Sequence, residues 1–327
     1  MTVRIGRRPF ILACGTAVAW PLSLRAQQGK RMQRIGVLLF GTPDTDPNLG
    51  AFLRGLRDLG YTESQNIVIA YRYAEGKPDL LRSLAGELVA IKPDLIFALG
   101  GDVAPSARVA TGTIPIVIAV SNDPVQSGLV ASLARPGGNI TGVTFVSSDL
   151  AAKRLQFLRE IAPNLARVAV IWNPDHVDPE YRETQTAAKT LGIQLQSLEV
   201  RSAEDFDTAF QIATDARIEA LIPITSRLML TNRPRIIEFS RQHQLLLASG
   251  FGPWVREGAL LSYRPDTDAS TKRAAIYVDK ILHGAKPDEL PIEQPTKFQL
   301  LVNGKTAKSL GLDIPPTLLA TADQVIE

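Results

Sequence analysis

The chain has 327 residues, a formal net charge of +3 and a single cysteine. One cysteine excludes a disulfide framework, so stability has to come from packed hydrophobic cores, and the length suits about two domains. The small net charge, with no clustered basic stretch, argues against a nucleic-acid-binding protein.

Residues 1–26 are predicted to be a cleaved export signal. An arginine-rich stretch precedes the apolar run of residues 10–24, and the small Ala26 ends the signal before Gln27. The apolar run is too short for a comfortable membrane span, and Pro21 interrupts it. Cleavage removes four arginines and no acidic residue, which takes the formal charge from +3 to −1. We therefore expect a periplasmic protein, exported by the Sec or the twin-arginine route.

The first half of the remaining chain contains four apolar runs rich in Val, Ile and Leu. They are residues 34–41, 66–71, 93–99 and 114–120. Amphipathic stretches separate them, with the helical period shown by Leu81, Leu84, Leu88 and Ile91. Apolar runs that alternate with helices predict a parallel sheet covered on both faces.

The second half repeats this plan. Its apolar runs are residues 167–173, 193–200, 220–224 and 244–249. A further strand-like run at 260–264, a helix near 268–282, a strand at 298–302 and a helix near 305–310 follow. Residues 139–141 (Asn-Ile-Thr) lie between two glycines, Gly138 and Gly142, and are predicted to form a turn.

The predicted fold class is α/β, with two doubly wound parallel-sheet lobes joined by a multi-crossing hinge. We assign residues 32–145 plus 262–290 to the first lobe and 146–261 plus 291–327 to the second. Residues 144–148 and 260–265 are predicted to cross between the lobes. Such a hinged clamshell binds its ligand at the carboxyl ends of the strands.

Small polar residues and a few aromatic residues follow the predicted strands, and these are the candidate ligand contacts. In the first lobe they are Thr42, Asp44, Gly101, Asp102, Ser121 and Asp123. In the second lobe they are Asn173, Ser226, Phe251 and Tyr263.

This composition favours a small carboxylate such as an amino acid, aromatic ones included. Glycine backbone N–H groups and hydroxyls suit a carboxylate, and Asp44, Asp102 or Asp123 suits an ammonium group. Aromatic side chains such as Trp172, Phe251 and Tyr263 can flank a flat body. The alternative for each polar residue is a helix or turn cap, and for Trp172 it is core packing.

Signals for catalysis, metals and cofactors are weak. The histidines, His176, His243 and His283, are scattered without companion ligands, so each is interpreted as structural or exposed. Gly304-Lys305-Thr306 ends like a phosphate-binding loop, but Gln299 stands where that loop needs glycine. We predict no catalytic residue, no metal and no cofactor.

Four stretches of the sequence carry a resemblance to a known family. They are residues 52–66 (FLRGLRDLGYTESQN), 74–79 (AEGKPD), 123–142 (DPVQSGLVASLARPGGNITG) and 277–301 (YVDKILHGAKPDELPIEQPTKFQLL). They resemble the ABC transporter substrate-binding proteins of the tryptophan-binding type, which have a type I periplasmic-binding-protein fold. The resemblance spans essentially the whole mature chain.

The resemblance implies an extracytoplasmic receptor that closes on a small-molecule solute and delivers it to a membrane permease and its ATPase. Family contacts in the loops after the strands match Thr42, Asp102, Asp123 and Asn173 by position in the fold. We expect a monomer. Two alternatives stay open: an exported enzyme on the same fold, and a sensor subunit that presents its ligand to a membrane receptor.

Overall fold

A computed structural model describes residues 1–2, 32–42, 44, 46–101, 103–120, 123–145, 149–176 and 179–327. Most of the predicted export signal and two candidate contacts, Asp102 and Ser121, lie outside the described residues. The chain divides into two compact units, Met1–Met32 and Gln33–Glu327, and every strand and helix named below lies in the second.

Strands and helices alternate through most of the second unit. In chain order the strands are β1 Gln33–Leu39, β2 Ile67–Tyr73, β3 Leu95–Leu99, β4 Ile116–Val120, β5 Ile140–Thr144, β6 Arg167–Trp172, β7 Gln194–Glu199, β8 Ala220–Pro223, β9 Leu246–Ser249, β10 Leu261–Pro265, β11 Phe298–Asn303 and β12 Gln324–Ile326. The helices are α1 Pro47–Asp58, α2 Leu81–Ala90, α3 Val103–Ala110, α4 Asp149–Ile161, α5 Glu180–Leu191, α6 Asp205–Asp215, α7 Arg227–Thr231, α8 Arg233–Gln242, α9 Pro253–Arg256, α10 Thr267–Leu282, α11 Gly304–Ser309 and α12 Pro316–Thr321.

The first lobe is built on a five-stranded parallel sheet with the order β2-β1-β3-β4-β5. Helices α1 and α10 cover one face, where Phe52 and Tyr277 are fully buried. Helices α2 and α3 cover the other face with Leu88 and Ala107. The central strands β1 and β3 are therefore buried on both sides, which explains their continuous apolar sequence.

The second lobe is built on a seven-stranded sheet with the order β12-β11-β10-β9-β8-β6-β7. Its neighbouring strands are parallel except for β10 and β11, which pair antiparallel. Leu158 of α4 and Ala188 of α5 pack on one face, and Phe206 of α6 and Ile236 of α8 pack on the other. The predicted α/β class with two parallel-dominated sheets is confirmed.

The structure corrects one prediction about the connections. Residues 260–265 do not form a crossing, since Leu261–Pro265 is strand β10 of the second sheet, paired with β9 and β11. The chain returns to the first lobe only after Pro265, where α10 begins at Thr267 and packs against α1. The other predicted crossing, residues 144–148, lies between the end of β5 in the first sheet and the start of α4 in the second lobe, and its residues 146–148 lie outside the described residues.

The predicted turn at residues 139–142 is also wrong, because these residues lead into strand β5. The Asn139 side chain donates hydrogen bonds to the carbonyl groups of Thr111 (3.1 Å) and Ile114 (2.7 Å). Gly142 has φ +136°, and a Cβ atom there would lie 2.6 Å from the backbone nitrogen of Ile118. The glycine thus permits a close approach between β5 and β4 rather than a reversal of the chain.

Among the described residues, no helix is long and apolar enough to cross a membrane. Gly60, Gly192 and Gly284 follow helices α1, α5 and α10 with φ values of +86°, +67° and +96°, the left-handed conformation that often ends a helix.

Candidate ligand-binding cleft

A cavity of about 590 Å³ lies between the carboxyl ends of the strands of the two sheets. The first lobe contributes residues that end or follow β1, β3, β4 and β5, namely Phe40, Gly41, Leu99, Gly100, Gly101, Ala119 and Phe145. The second lobe contributes residues that follow β8 and β9 or end β10, namely Thr225, Ser226, Gly250, Phe251, Gly252, Arg264 and Pro265. The volume is that of a small-ligand pocket.

The loop after β9 brings two arginines close to the backbone. Its sequence is Gly250-Phe251-Gly252. A Cβ atom at Gly250 would lie 2.8 Å from Nη2 of Arg154, and one at Gly252 would lie 2.7 Å from Nε of Arg264. Both glycines therefore make room for guanidinium groups beside the cavity.

Arg154 of α4 is held by a buried ion pair. Only 1% of its side chain is exposed, and it pairs with Glu180, the first residue of α5, which is buried as well. Its Nε donates a hydrogen bond to the carbonyl oxygen of Tyr263 (2.9 Å). Arg154 thereby connects α4, α5 and β10 behind the cavity wall.

Arg264 at the end of β10 is the second guanidinium of this wall. Its Nη2 donates to Oε1 of Gln299 (2.6 Å) and its Nη1 to Oγ1 of Thr267 (3.2 Å), both neutral acceptors. Burial lowers the pKa of Arg264, although the more distant carboxylates of Asp266 and Asp268 oppose that change. The group is a substantially desolvated cation at the edge of the cavity.

Asp46 provides a carboxylate on the opposite, first-lobe wall. It caps the start of α1, where its Oδ1 accepts a hydrogen bond from the Asn48 N–H (2.9 Å). Burial raises the pKa of Asp46, although that hydrogen bond and the nearby Arg227 oppose the rise. Asp46 and Asn48 both line the cavity.

Arg227, the first residue of α7, reaches across the cleft. Its guanidinium lies over the ring of Phe40, at the end of β1, with Cζ 2.8 Å from the ring centroid. Ser226 precedes it and caps α7, accepting a hydrogen bond from the Met229 N–H. The start of α7 thus contacts the first lobe directly.

Three of the candidate residues from the sequence line the cavity: Gly101, Ser226 and Phe251. Asp44 is exposed and does not line the described cavity, whereas Asp46, two residues later, does. The backbone oxygen of Thr42 accepts a hydrogen bond from the Asp46 N–H (3.1 Å).

The other described candidates make local contacts away from the described cavity lining. The Asp123 carboxylate accepts hydrogen bonds from the N–H groups of Val125 (2.8 Å) and Gln126 (3.1 Å). The Asn173 side chain accepts one from the Asp175 N–H (2.9 Å). Both are turn caps, the alternative weighed for such residues.

Two of the aromatic candidates pack within the second lobe. The Tyr263 ring contacts Phe157, with centroids 5.2 Å apart, and also Phe298. Trp172 stacks on Tyr181 at 4.0 Å. Core packing, the alternative reading for Trp172, is therefore what the structure shows.

Several cavity residues were not predicted as contacts. They are Phe40, Asp46, Phe145, Arg154, His176 and Arg264. His176, interpreted from the sequence as structural or exposed, lines the cavity, and its buried Nε2 has no hydrogen-bond partner among the described residues. The sequence does indicate a helix start at Asp46, because an Asp that directly precedes a Pro is a common way for a helix to begin.

The fold consists of two α/β lobes with a cavity between the carboxyl ends of their strands. The chain belongs to the ABC transporter substrate binding protein family, whose model matches residues 35–326. A tyrosine-binding protein of Clostridioides difficile is 25% identical over 287 residues, which cover 86% of this chain and 82% of the relative.

Several solved structures share this fold. A domain from Streptococcus pneumonia in complex with L-Trp matches with TM-score 0.82 and 24% identity, covering 90% of this chain and 99% of the other. A conserved domain protein from Vibrio cholerae matches with TM-score 0.81 and 26% identity, covering 90% and 100%. A ligand-free, open substrate-binding protein from Clostridium difficile has TM-score 0.72 and 25% identity, covering 90% and 99%.

Proposed function

We propose that the protein is the periplasmic receptor of an ABC importer, which binds an amino acid with an aromatic side chain and delivers it to its permease and ATPase. The names of the relatives support this class of ligand, since one binds tyrosine and a solved structure holds L-Trp. The chain is similar to both over most of its length.

The observation that carries the proposal is the distribution of charge and aromatic rings around the cavity. Asp46 on the first lobe supplies an anion for an ammonium group, and Arg264 on the second supplies a cation for a carboxylate. Phe40, Phe145 and Phe251 add apolar ring surface between these charges. An aromatic amino acid presents the complementary set of groups.

The proposal includes the export and lobe assignments. Residues 1–26 act as the export signal, the mature protein starts at Gln27, and it works as a monomer in the periplasm. Residues 32–145 with the α10 segment up to 290 move as one lobe, and the remainder moves as the other. The several connections between the lobes act as a hinge, which lets the lobes close on the solute.

A thermal-shift screen of the twenty amino acids against the chain from Gln27 onward tests the proposal. A ligand that binds only the native state raises its stability, and at 100 times Kd the gain is about 2.7 kcal/mol. We expect L-Trp or L-Tyr to give the largest rise in melting temperature. A folded protein that none of the twenty amino acids stabilises would contradict the proposal.

A further inference from the structure

Arg264 is a partly buried cation whose described hydrogen-bond partners are all neutral. Its two terminal nitrogens donate to Thr267, Gln299 and the carbonyl oxygen of Pro265. Its Nε is buried and has no hydrogen-bond partner among the described residues. Among the described residues, no carboxylate forms an ion pair with it.

Two other arginines that line the same cavity have counter-ions. Arg154 pairs with Glu180, and Arg233 pairs with Glu257 at 2.9 Å. Arg264 therefore differs from them in lacking a negative partner in the described part of the chain.

The acidic residues nearest to Arg264 in the sequence have partners of their own. The Asp266 carboxylate accepts a hydrogen bond from the Ala269 N–H (3.0 Å) and caps α10. The Asp268 carboxylate forms an ion pair with Arg54 at 2.7 Å. Neither is placed to neutralise the guanidinium at close range, so its charge is available to a ligand.

A buried charge without a partner is costly, and an anion that enters the site recovers that cost. We propose that Arg264 is the residue that binds the carboxylate of the solute, an inference that rests on the proposed amino-acid function. A guanidinium offers several N–H donors in a plane, and a carboxylate accepts two of them at once.

The surroundings of Arg264 fit this role. Gly252 leaves space beside its Nε, which a Cβ atom would occupy at 2.7 Å. Trp254 of α9, which follows this loop, is fully buried and lines the cavity, and its Nε1 has no hydrogen-bond partner among the described residues. An indole N–H can only donate, so this group also needs an acceptor, which an anionic group supplies.

A cycle of two proteins and two ligands tests the assignment. Isothermal titration compares wild type and Arg264→Gln with the amino acid found by the screen, L-Trp or L-Tyr, and with its carboxamide. In the wild type the amide should bind about 10- to 100-fold more weakly, because a charge-assisted contact is lost. In Arg264→Gln the acid should lose about the same factor and the amide should lose little.

Two further variants serve as checks. Arg264→Lys keeps the positive charge and should keep most of the preference for the acid. Arg167→Gln removes a second-lobe arginine that pairs with Glu219 and does not line the described cavity, and it should leave both affinities unchanged. Circular dichroism confirms that each variant is folded.

The outcomes separate the two proposals. If the acid binds wild type tightly but Arg264→Gln and Arg264→Lys keep the full preference for the acid over the amide, the Arg264 assignment is wrong while the amino-acid function stands. If neither L-Trp nor L-Tyr nor any other amino acid binds wild type, the proposed function fails, and the assignment built on it fails too.

Discussion

The guanidinium of Arg227 lies over the ring of Phe40, and this contact joins the two lobes across the mouth of the cleft. Arg227 begins α7 in the second lobe, whereas Phe40 ends β1 in the first. Arg227 also acts on the charge of Asp46, which belongs to the first lobe as well. In the proposed closure of the lobes, opening breaks this contact, so the contact favours the closed arrangement.

Arg227→Ala should therefore weaken ligand binding. A cation–π contact contributes about 0.5–2 kcal/mol, which corresponds to about 2- to 30-fold in Kd. X-ray scattering should also show a smaller contraction of the variant when ligand is added. The measurements are titration calorimetry and the radius of gyration with and without ligand.

Arg235→Ala is the matched control for this variant. Arg235 lies over Phe206 at 5.4 Å and pairs with Asp207, all within the second lobe. Its loss should lower the free energy of unfolding slightly and leave Kd unchanged. Equal losses of affinity in the two variants would show that the contact with Phe40 has no special role in closure.

The raised pKa of Asp46 predicts that ligand binding depends on pH. Burial raises its pKa above the ordinary 3.8, so in the free protein it takes up a proton at a higher pH than an exposed aspartate does. An ammonium group binds the charged form, and the affinity should fall as the pH drops through that raised pKa. Titrations between about pH 7 and pH 4 measure the decline.

Asp46→Asn should bind about tenfold more weakly at neutral pH and lose most of the pH dependence, because the titrating charge is gone. Asp44→Asn changes an exposed aspartate two residues away that does not line the described cavity, and it should behave like wild type. A wild-type pH profile in Asp46→Asn would assign the dependence to another group.

The buried strands of both sheets could be predicted from the sequence, because a strand that is covered on both faces has a continuous run of apolar residues. Strand β5 could not. Gly142 is typical of turns, and the buried Thr141 hydroxyl finds its acceptor in the Leu290 carbonyl (2.8 Å), a contact 149 residues away. The strand-like run at 260–264 was expected, but it was assigned to a crossing, since its place in the second sheet depends on pairing with β11, which follows α10.

The site was predicted less well than the fold. Ser226 and Asp123 both follow a strand and both cap the next segment, but only Ser226 lines the described cavity. Residue type does not separate a cap from a ligand contact. Arg264 was overlooked because it lies within an expected crossing, and only the three-dimensional structure shows that its partners are neutral.

Gly250 is predicted to be intolerant of even one added methyl group. A Cβ atom there would overlap Oγ1 of Thr225 and approach Nη2 of Arg154. Gly250→Ala should lower the free energy of unfolding by about 1–3 kcal/mol, as overpacking does. Urea denaturation measures the change.

Gly86→Ala is the control, and its expected change in the free energy of unfolding has the opposite sign. Gly86 lies within α2, and a Cβ atom there has no neighbour within 4 Å. The substitution should raise the free energy of unfolding by about 0.5–1 kcal/mol, because alanine is the better helix former. Destabilisation of similar size in both variants would refute the steric account of Gly250.

The buried pair of Arg154 and Glu180 predicts strong coupling in a double-mutant cycle. Glu180→Ala leaves the Arg154 charge buried beside the cavity and should cost about 3–5 kcal/mol, whereas the double replacement Arg154→Met with Glu180→Met should cost far less than the sum of the single changes.

The exposed pair of Arg201 and Asp175, with 57% and 62% of each side chain accessible, is the reference. Its coupling should stay below about 1 kcal/mol. Urea unfolding of both sets of variants gives the two coupling energies, and equal values would show that burial does not strengthen the Arg154 pair.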